Sequence, residues 1–420
     1  MWGKLLERFQ CVATGPVVSQ WKTSRVGGGS DLSRVLRYCS GYPSWPTAQR
    51  TMTPDRFAEQ IRKTGFVLEN QIAQQLKAAK WTVISNRYYV DDAEESVREI
   101  DLVAYQVSKV QHFDVYTALL ISCKKSEANA WALLSRNIDL KDPNSDWQPL
   151  HTWSNDKALT HQLSMVEAAR SYHDAITKLG VAETLRTPSV EVFAFQEMNK
   201  TSGAPQNDKA IFSATTSLMK AQAYELDALP RRKRTPAVYQ FNLLSIVDSD
   251  LVRIFFEADT IESEAIEHEH YIARYIIKKQ ATFARIRFLR ADMFAKLLPE
   301  YASLHKANSK WFDAQCDAFY VDILKDRKRT EILMPEFRKE IRFDVRWSLL
   351  DKKLPAPDVE KLNFYWSEQD NQFCIFLPLG DEGAKALNDD QKLRGKIAAA
   401  LRKIYRYSGN FKFEDDDIPF

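Results

Sequence analysis

The sequence REIDLV at residues 98–103, followed by LISCKK at residues 120–125, decides the fold that this chain is expected to adopt. Both stretches are rich in aliphatic and β-branched side chains, and a polar segment separates them, so each predicts a β-strand. Residues two apart on a strand point to the same face, so Glu99 and Asp101 are expected to project together. The first strand therefore presents two carboxylates side by side.

The second strand adds a cation to this pattern. Ser122 and Lys124 share one of its faces, and Cys123 points the other way, into the core. Metal-dependent phosphodiester cleavage needs carboxylates to hold Mg²⁺ against the phosphate, and a nearby cation to stabilise charge or orient water. The two strands together predict a candidate site of this kind, with Glu99, Asp101 and Lys124 as its charged members.

The elements around these strands complete an α-β-β-β-α-β order. Thr53-Pro54-Asp55 has the capping chemistry of a helix start, and apolar side chains then recur with helical spacing as far as Ala79. Strands are predicted over residues 81–90, 97–105 and 116–124, a helix over residues 156–179, and a last strand over residues 190–195. This order predicts an α/β fold with a mixed sheet flanked by helices.

Three short motifs in this region carry a family resemblance. TGFVLE at residues 64–69, EID at 99–101 and SCK at 122–124 resemble the restriction endonuclease-like PD-(D/E)XK nuclease superfamily, particularly its Mrr and resolvase-like members. The resemblance covers roughly residues 52–195. It implies a restriction endonuclease-like fold and a DNA endonuclease of bacterial defence or repair that depends on Mg²⁺ or Mn²⁺. DNA is the partner that it implies, and a homodimer is left open.

The resemblance also implies roles for individual side chains. Glu69 on the first helix would help to bind metal, Asp101 would be the principal metal ligand, and Lys124 would be the lysine of the third motif. Gln162, on the following helix, matches a glutamine that some relatives place near DNA. Glu99 is a further candidate metal ligand because it shares a strand face with Asp101.

Ser122 departs from the pattern of that superfamily. Relatives have Glu, Asp or sometimes Gln at this position, and a hydroxyl is a much poorer Mg²⁺ ligand than a carboxylate. Either Glu69 and Glu99 compensate for the missing ligand, or catalysis is impaired.

A basic run, RRKRTP at residues 231–236, is expected to be an exposed linker between two domains, with phosphate binding by residues 231–234 as the alternative. The domains are predicted as a nuclease-like domain over residues 52–230 and an α+β domain of unknown role over residues 231–408. His268-Glu269-His270 is expected to be a surface strand and not a metal site. Strands of the second domain are predicted over residues 238–246, 251–256, 270–277, 283–288, 341–347 and 373–377, and helices over residues 291–305 and 389–405.

Residues 1–51 are expected to be a poorly ordered leader, or sequence upstream of a natural start at Met52, because they lack strand or helix periodicity. They hold the excess positive charge of a chain whose net charge is +3. The rest of the chain therefore lacks the overall positive charge with which some proteins bind nucleic acid. The five cysteines lack zinc-site spacing and are expected to be reduced, which favours a cytoplasmic location. The sequence also lacks an apolar run of about 18 residues, which argues against a membrane partner.

The last residues, FEDDDIPF at 413–420, form an acidic run that ends in apolar side chains, and residues 409–420 are expected to be a flexible acidic tail. This ending resembles, nearly residue for residue, the C-terminus of bacterial single-stranded DNA-binding protein. The resemblance implies docking onto replication, recombination and repair proteins, with the terminal ring in an apolar pocket. The residues that it implies in partner binding are Asp415, Asp416, Asp417, Ile418, Pro419 and Phe420.

Two hypotheses about function follow from these patterns. The first is a metal-dependent DNA endonuclease that its tail recruits to the replication and repair machinery. The second is a binding module, a catalytically degenerate nuclease fold that competes for, or senses, the same tail-docking proteins. Ser122 is the residue that separates the two hypotheses.

Overall fold

The structure, a computed structural model, describes residues 54–91 and 95–415 of the chain. Its α-helices are α1 (Pro54–Ile61), α2 (Gly65–Ala78), α3 (Lys157–Leu163), α4 (Ala168–Lys178), α5 (Lys209–Arg232), α6 (Phe294–Tyr320), α7 (Arg327–Asp351), α8 (Gly380–Asp389) and α9 (Gln391–Tyr405). Its β-strands are β1 (Thr82–Val90), β2 (Val97–Val110), β3 (Phe113–Lys125), β4 (Asn129–Asn137), β5 (Thr152–Ser154), β6 (Val190–Asn199), β7 (Ala237–Asp248), β8 (Leu251–Glu257), β9 (Thr260–Ala265), β10 (His268–Ile277), β11 (Gln280–Arg290), β12 (Asn363–Ser367), β13 (Gln372–Leu377) and β14 (Phe411–Asp415). Within these ranges, none of the helices combines the length and the apolar character needed to cross a membrane.

The largest sheet has seven strands, and β7 lies in its middle. The order is β1-β2-β3-β7-β11-β10, and β5 also pairs with β7. β2 is antiparallel to β1 and β3, whereas β3, β7 and β11 are parallel, with Ser122 beside Ser245. β7 is buried at nearly every position, as expected for a parallel strand that is covered on both faces. The prediction of an α/β fold with a mixed sheet flanked by helices is confirmed.

Helices cover both faces of this sheet at β3. On one face, α2 packs Leu68, Ile72 and Leu76 into the core that also contains Leu119 and Ile121 of β3. On the other face, α5 packs against the core that contains Leu120 and Leu243. Alternate residues of β3 therefore enter two different cores, and each fully buried leucine contributes about 1.5–3 kcal/mol.

The α-β-β-β-α-β order is present, but its last two elements are not the predicted ones. In the seven-stranded sheet, the fifth and sixth elements of this order are α5 and β7. The prediction had placed there a helix over residues 156–179 and a strand over residues 190–195. That predicted helix is two shorter helices, α3 and α4. The strand at residues 190–195 is part of β6, which pairs with β4 in a separate four-stranded sheet of order β6-β4-β8-β9. Strand propensity located these strands but could not assign them to a sheet, because pairing partners are distant in sequence.

The predicted domain boundary near residue 231 is wrong. The strand that follows it, β7, pairs with β3 along its full length, so both sides of the boundary share one sheet. The described residues, 54–91 and 95–415, belong to a single compact unit. Arg231 and Arg232 belong to the last turn of α5, and Arg232 forms an ion pair with Glu225 of the same helix. The basic run is thus a helix end and a short connection within one domain.

The strand predicted over residues 341–347 is also wrong, because these residues lie inside the long helix α7. The buried side chains of this helix include Phe337, Ile341, Val345 and Leu349, which recur every fourth residue. That spacing is typical of one face of a helix. The burial of this face outweighs the preference of the individual β-branched and aromatic residues for strands.

The prediction of a flexible tail from residue 409 is wrong for residues 411–415. Residues 411–415 form β14, which pairs in parallel with β13 in a three-stranded sheet. Phe411 and Phe413 are buried in the core of that sheet and its helices. Asp415 accepts hydrogen bonds from the backbone N–H groups of Leu379 and Gly380, at 2.9 Å each, where α8 begins. Only residues 416–420 of the proposed tail lie beyond the described residues.

Asp415→Ala is expected to lower the free energy of unfolding by about 1–2 kcal/mol, because it leaves two N–H groups at the start of α8 without their acceptor. Urea unfolding followed by circular dichroism measures the change. Lys385→Ala, an exposed position on the same helix, is the control and is expected to change stability by less than about 0.5 kcal/mol. Equal stability of the two variants would contradict a capping role for Asp415.

Candidate active site

The Asp101 carboxylate accepts hydrogen bonds from three groups of the neighbouring strand. Asp101 Oδ2 lies 2.6 Å from the backbone nitrogen of Cys123, 3.3 Å from Ser122 Oγ and 3.4 Å from Lys124 Nζ. On the other side of β2, Asn86 of β1 lies opposite Asp101 and has a positive φ of 55°, and these two residues are missing from the register of β1 with β2. The predicted proximity of Asp101, Ser122 and Lys124 is thus present in the fold.

Lys124 and Asp101 form an ion pair that solvent can reach. The Lys124 side chain is 33% exposed and the Asp101 side chain is 18% exposed, so a substrate in solution has access to both. The pair lies near the carboxyl end of β3, where ligands commonly bind beside parallel strands. Cys123, the residue before Lys124 on β3, is buried, as predicted. Burial raises the pKa of its thiol well above the ordinary value.

Glu69 of α2 joins this pair. Burial is the main cause that raises the pKa of the Glu69 carboxyl, repulsion from Asp101 is the next, and the Lys124 ammonium partly offsets both. Gly65 lies one turn earlier on α2, and a Cβ there would make only an ordinary contact, at 3.9 Å, with Glu69 Oε1. The structure therefore brings Glu69, Asp101 and Lys124 into one electrostatic cluster.

Glu99 lies at the exposed margin of the cluster. Its carboxylate accepts a hydrogen bond from the side-chain amide of Asn86, and its charge contributes less than Asp101 to the pKa of Glu69. Across residues 54–91 and 95–415, no group of three or more His, Cys, Asp or Glu side chains has a geometry that could hold a metal ion. Glu69 and Asp101 are the carboxylates best placed to serve as a pair, and Glu99 is a weaker candidate.

Ser122 is in the interior of the protein. Its side chain is 1% exposed and stands beside Ser245 of β7, which is also fully buried. Its hydroxyl donates to Asp101 Oδ2 and so helps to fix that carboxylate. Ser122 is therefore better described as a positioning residue than as a metal ligand.

The structure does not bring Gln162 to the site. Its amide contacts Gln315 of α6 at 3.5 Å, and its helix α3 begins at Asp156, whose carboxylate contacts His112 at 2.6 Å. His112 precedes the first residue of β3, whereas Lys124 is near the last. Because a strand rises about 3.3 Å per residue, the two ends of β3 are roughly 40 Å apart. The prediction that Gln162 belongs to the site is wrong.

The prediction that His268-Glu269-His270 forms a surface strand is also wrong. Glu269 and His270 are 2% and 1% exposed, and Glu269 accepts a hydrogen bond from Arg253 Nε at 3.0 Å. Sequence analysis missed this buried polar region. A detectable signal was the alternation of Arg285 and Arg287 within an otherwise apolar strand, because buried arginines need specific partners.

Glu69→Gln is expected to raise the melting temperature at neutral pH. A carboxyl whose pKa is raised on folding contributes stability below its unfolded pKa, and this contribution is lost as the pH rises through the folded pKa. Ionised Glu69 therefore destabilises the folded protein at neutral pH, and the amide removes that effect. Thermal unfolding at neutral pH and below pH 4.5 measures it, with Glu59→Gln on the exposed α1 as control. The same shift at both pH values would contradict a charge effect.

Three comparisons were made with known proteins. No protein-family model matches the sequence, no curated protein matches it, and no solved structure matches the fold at a significant level.

Proposed function

We propose that the chain is a Mg²⁺-dependent endonuclease that acts on DNA in bacterial defence or repair. The observation that carries the proposal is the partly exposed ion pair between Lys124 and Asp101, 3.4 Å apart near the carboxyl end of β3, with the Glu69 carboxylate beside it. Two carboxylates and one lysine on neighbouring elements are the side chains that metal-dependent phosphodiester hydrolysis requires.

The donor set fits a small hard cation. Mg²⁺ is usually held by one or two carboxylates, with water and substrate phosphate as its other ligands, so Asp101 and Glu69 suffice without a third protein ligand. The mutual repulsion of these carboxylates also favours a cation between them. When bound, Mg²⁺ would polarise the scissile phosphate and lower the pKa of a water molecule. Lys124 would hold positive charge where the phosphate gains negative charge.

A polar pocket lies beside the site, at the carboxyl ends of β3, β7 and β11. The cationic side chains of Lys125, Lys200 and Arg290 line its wall together with four carboxylates, so the pocket does not by itself favour phosphate. Each of these cations forms an ion pair with a nearby carboxylate that is more than half exposed. Because exposed ion pairs contribute only about 0–1 kcal/mol, these pairs hold the cations weakly, and a DNA phosphate that reaches the cations could compete for them.

One observation favours the alternative, a catalytically degenerate binding module. Ser122 is buried where the superfamily has a ligand, and the three donors on Asp101 Oδ2 already satisfy that oxygen without metal. In that case the fold would present its C-terminal residues to tail-docking repair proteins without cleaving DNA. Recruitment through residues 416–420 is part of both proposals.

Incubation of the purified chain with supercoiled, linear, branched and single-stranded DNA tests the choice. An active nuclease cleaves at least one substrate with Mg²⁺ or Mn²⁺ and stops when a chelator is added. The absence of cleavage from every substrate with either metal would leave the binding module as the function.

A further inference from the structure

Three large apolar side chains lie exposed on α7. Phe343 is 68% exposed, Trp347 is 69% exposed and Leu350 is 47% exposed. They are four and three positions apart, so they form one row along the helix, the apolar ridge. The ridge is on the side of α7 opposite the buried side chains, which pack into the core. A contiguous apolar surface commonly marks a site of interaction, because a partner that covers it removes it from water.

Basic side chains run beside the apolar ridge. Lys339, Arg342 and Arg346 are exposed and lie three or four positions from one another, on the same side of α7 as the ridge. Within the described residues, the ion pairs of this region are formed by other cations, one on α7 and two on α9, and by none of these three. The charges of Lys339, Arg342 and Arg346 are therefore open to a partner from solution.

The carboxylates in this half of α7 are directed away from those cations. Asp344 and Glu340 form ion pairs with two lysines of α9, the second at 2.8 Å. Asp351 is nine residues after Arg342, which places it on the opposite side of the helix. The acids of α7 thus do not neutralise the basic row.

A groove of about 330 Å³ lies between the two arginines of the basic row and residues 356–360. Two carboxylates of that segment also line the groove, and each has a contact of its own. Asp358 accepts a hydrogen bond from the backbone N–H of Glu360 at 3.1 Å, and Glu360 forms an ion pair with Arg338 at 3.9 Å. With these pairs counted, cations outnumber carboxylates on and around the apolar ridge, so the surface attracts an anionic partner.

We propose that the apolar ridge and the cations beside it bind single-stranded DNA. Proteins hold single strands by stacking bases on aromatic rings while cations follow the phosphates, and α7 presents both in neighbouring rows. Phe343 and Trp347 are one turn apart, about 6 Å along the helix axis, so two neighbouring bases can each contact a ring. Arg342 and Arg346 have the same spacing on the phosphate side. The choice of DNA over RNA rests on the proposed function, whereas binding at this surface does not depend on cleavage.

Two other partners fit the apolar ridge less well. In a symmetric contact between two copies of this chain, the same surface patch meets itself, so the unpaired arginines would approach one another. An amphipathic helix that lies in a membrane inserts a whole apolar face, whereas most apolar side chains of α7 are already buried in the core. A polyanion with flat aromatic bases matches both the charge and the rings of this surface.

Fluorescence anisotropy of a labelled oligothymidylate of about 12 nucleotides tests the proposal, with the full chain and a chelator present so that cleavage cannot contribute. Trp347→Ala is expected to weaken binding by about 10- to 100-fold, because one stacked base is lost. Tyr365→Ala, at an exposed aromatic residue of β12, is the control and is expected to bind like the unmodified chain. Equal affinity of Trp347→Ala and the unmodified chain would refute the site.

The double substitution Arg342→Gln and Arg346→Gln tests the phosphate contacts. It is expected to reduce the slope of log affinity against log salt concentration by about one to two, since each phosphate contact on a single strand contributes about 0.7. Lys178→Gln, at the exposed end of α4, is the control and is expected to leave the slope unchanged. An unchanged slope in the double variant would show that the arginines do not contact phosphate, which contradicts the proposal.

Two further probes separate this site from other modes of binding. Any binding of a duplex of the same length is expected to be independent of Trp347, because duplex bases are already stacked on one another. Equal losses of duplex and single-strand binding in Trp347→Ala would overturn the proposal. So would binding of phosphatidylserine vesicles that depends on Trp347 without binding of the oligonucleotide. Failure of DNA cleavage would refute the proposed enzyme and leave this site intact, since binding is measured without metal.

Discussion

Asp101→Asn is expected to reduce metal-dependent DNA cleavage by about 1,000-fold, which corresponds to about 4 kcal/mol of transition-state stabilisation. The substitution removes the charge that would hold the cation and leaves an oxygen that can still accept from the Cys123 backbone nitrogen. The β2–β3 pairing and the fold are therefore expected to remain intact. A loss of cleavage would then reflect the chemistry of the site and not a change in the fold.

Initial rates of plasmid cleavage over a series of Mg²⁺ concentrations measure this effect. Asp114→Asn is the matched control, because Asp114 lies on the neighbouring strand β3 and forms ion pairs with Lys109 and Lys233, at 3.4 and 3.3 Å, but at the end of β3 that is far from Lys124. It is expected to cleave at the rate of the unmodified chain. Equal rates for Asp101→Asn and the unmodified chain would remove Asp101 from the chemistry.

Phe420→Ala is expected to weaken binding to a tail-docking repair protein by about 30- to 1,000-fold, because a terminal aromatic anchor contributes about 2–4 kcal/mol. One residue added after Phe420 is expected to have a similar effect, since it displaces the terminal carboxylate. Neutralising Asp416 and Asp417 is expected to act mainly on the association rate and on its salt dependence, because charges at the rim of an interface steer more than they anchor.

A fluorescence competition titration against a panel of tail-docking proteins measures these affinities. The structure limits the peptide to residues 416–420, because Asp415 is engaged at the start of α8 and cannot serve a partner without leaving that contact. The peptide is expected to displace the tail of single-stranded DNA-binding protein. If the peptide displaces that tail from no member of the panel, the resemblance does not reflect binding to the same pocket.

The sequence predicted the local parts of the candidate site. Alternation along β3 correctly separated buried Cys123 from Lys124, and the position of Asp101 on the neighbouring strand followed from the same rule. These predictions succeeded because they depend only on the pleat of a strand. Glu69 could be placed near Asp101 only through the family resemblance, because one helix and one strand do not fix their packing.

Contacts between distant segments could not be predicted in the same way. Nothing in residues 237–248 distinguishes a central strand from an edge strand, and the distance between β3 and β7 in sequence hid their pairing. His270 was misassigned because an alternating polar pattern predicts a surface strand, whereas its neighbour Glu269 is satisfied by Arg253, sixteen positions earlier. In each case the structure depends on a contact with a segment that lies outside the local sequence pattern.

The central position of β7 also constrains how the protein is made. During synthesis, the edge of β3 that faces β7 has no partner until roughly a hundred further residues have been added. At about 5–20 residues per second, translation leaves this apolar strand edge open for roughly 5–20 seconds. An open strand edge is a template for pairing with other chains. Nascent chains are therefore expected to need chaperone protection until β7 has emerged from the ribosome, and slow translation of residues 126–236 would lower the yield of folded protein.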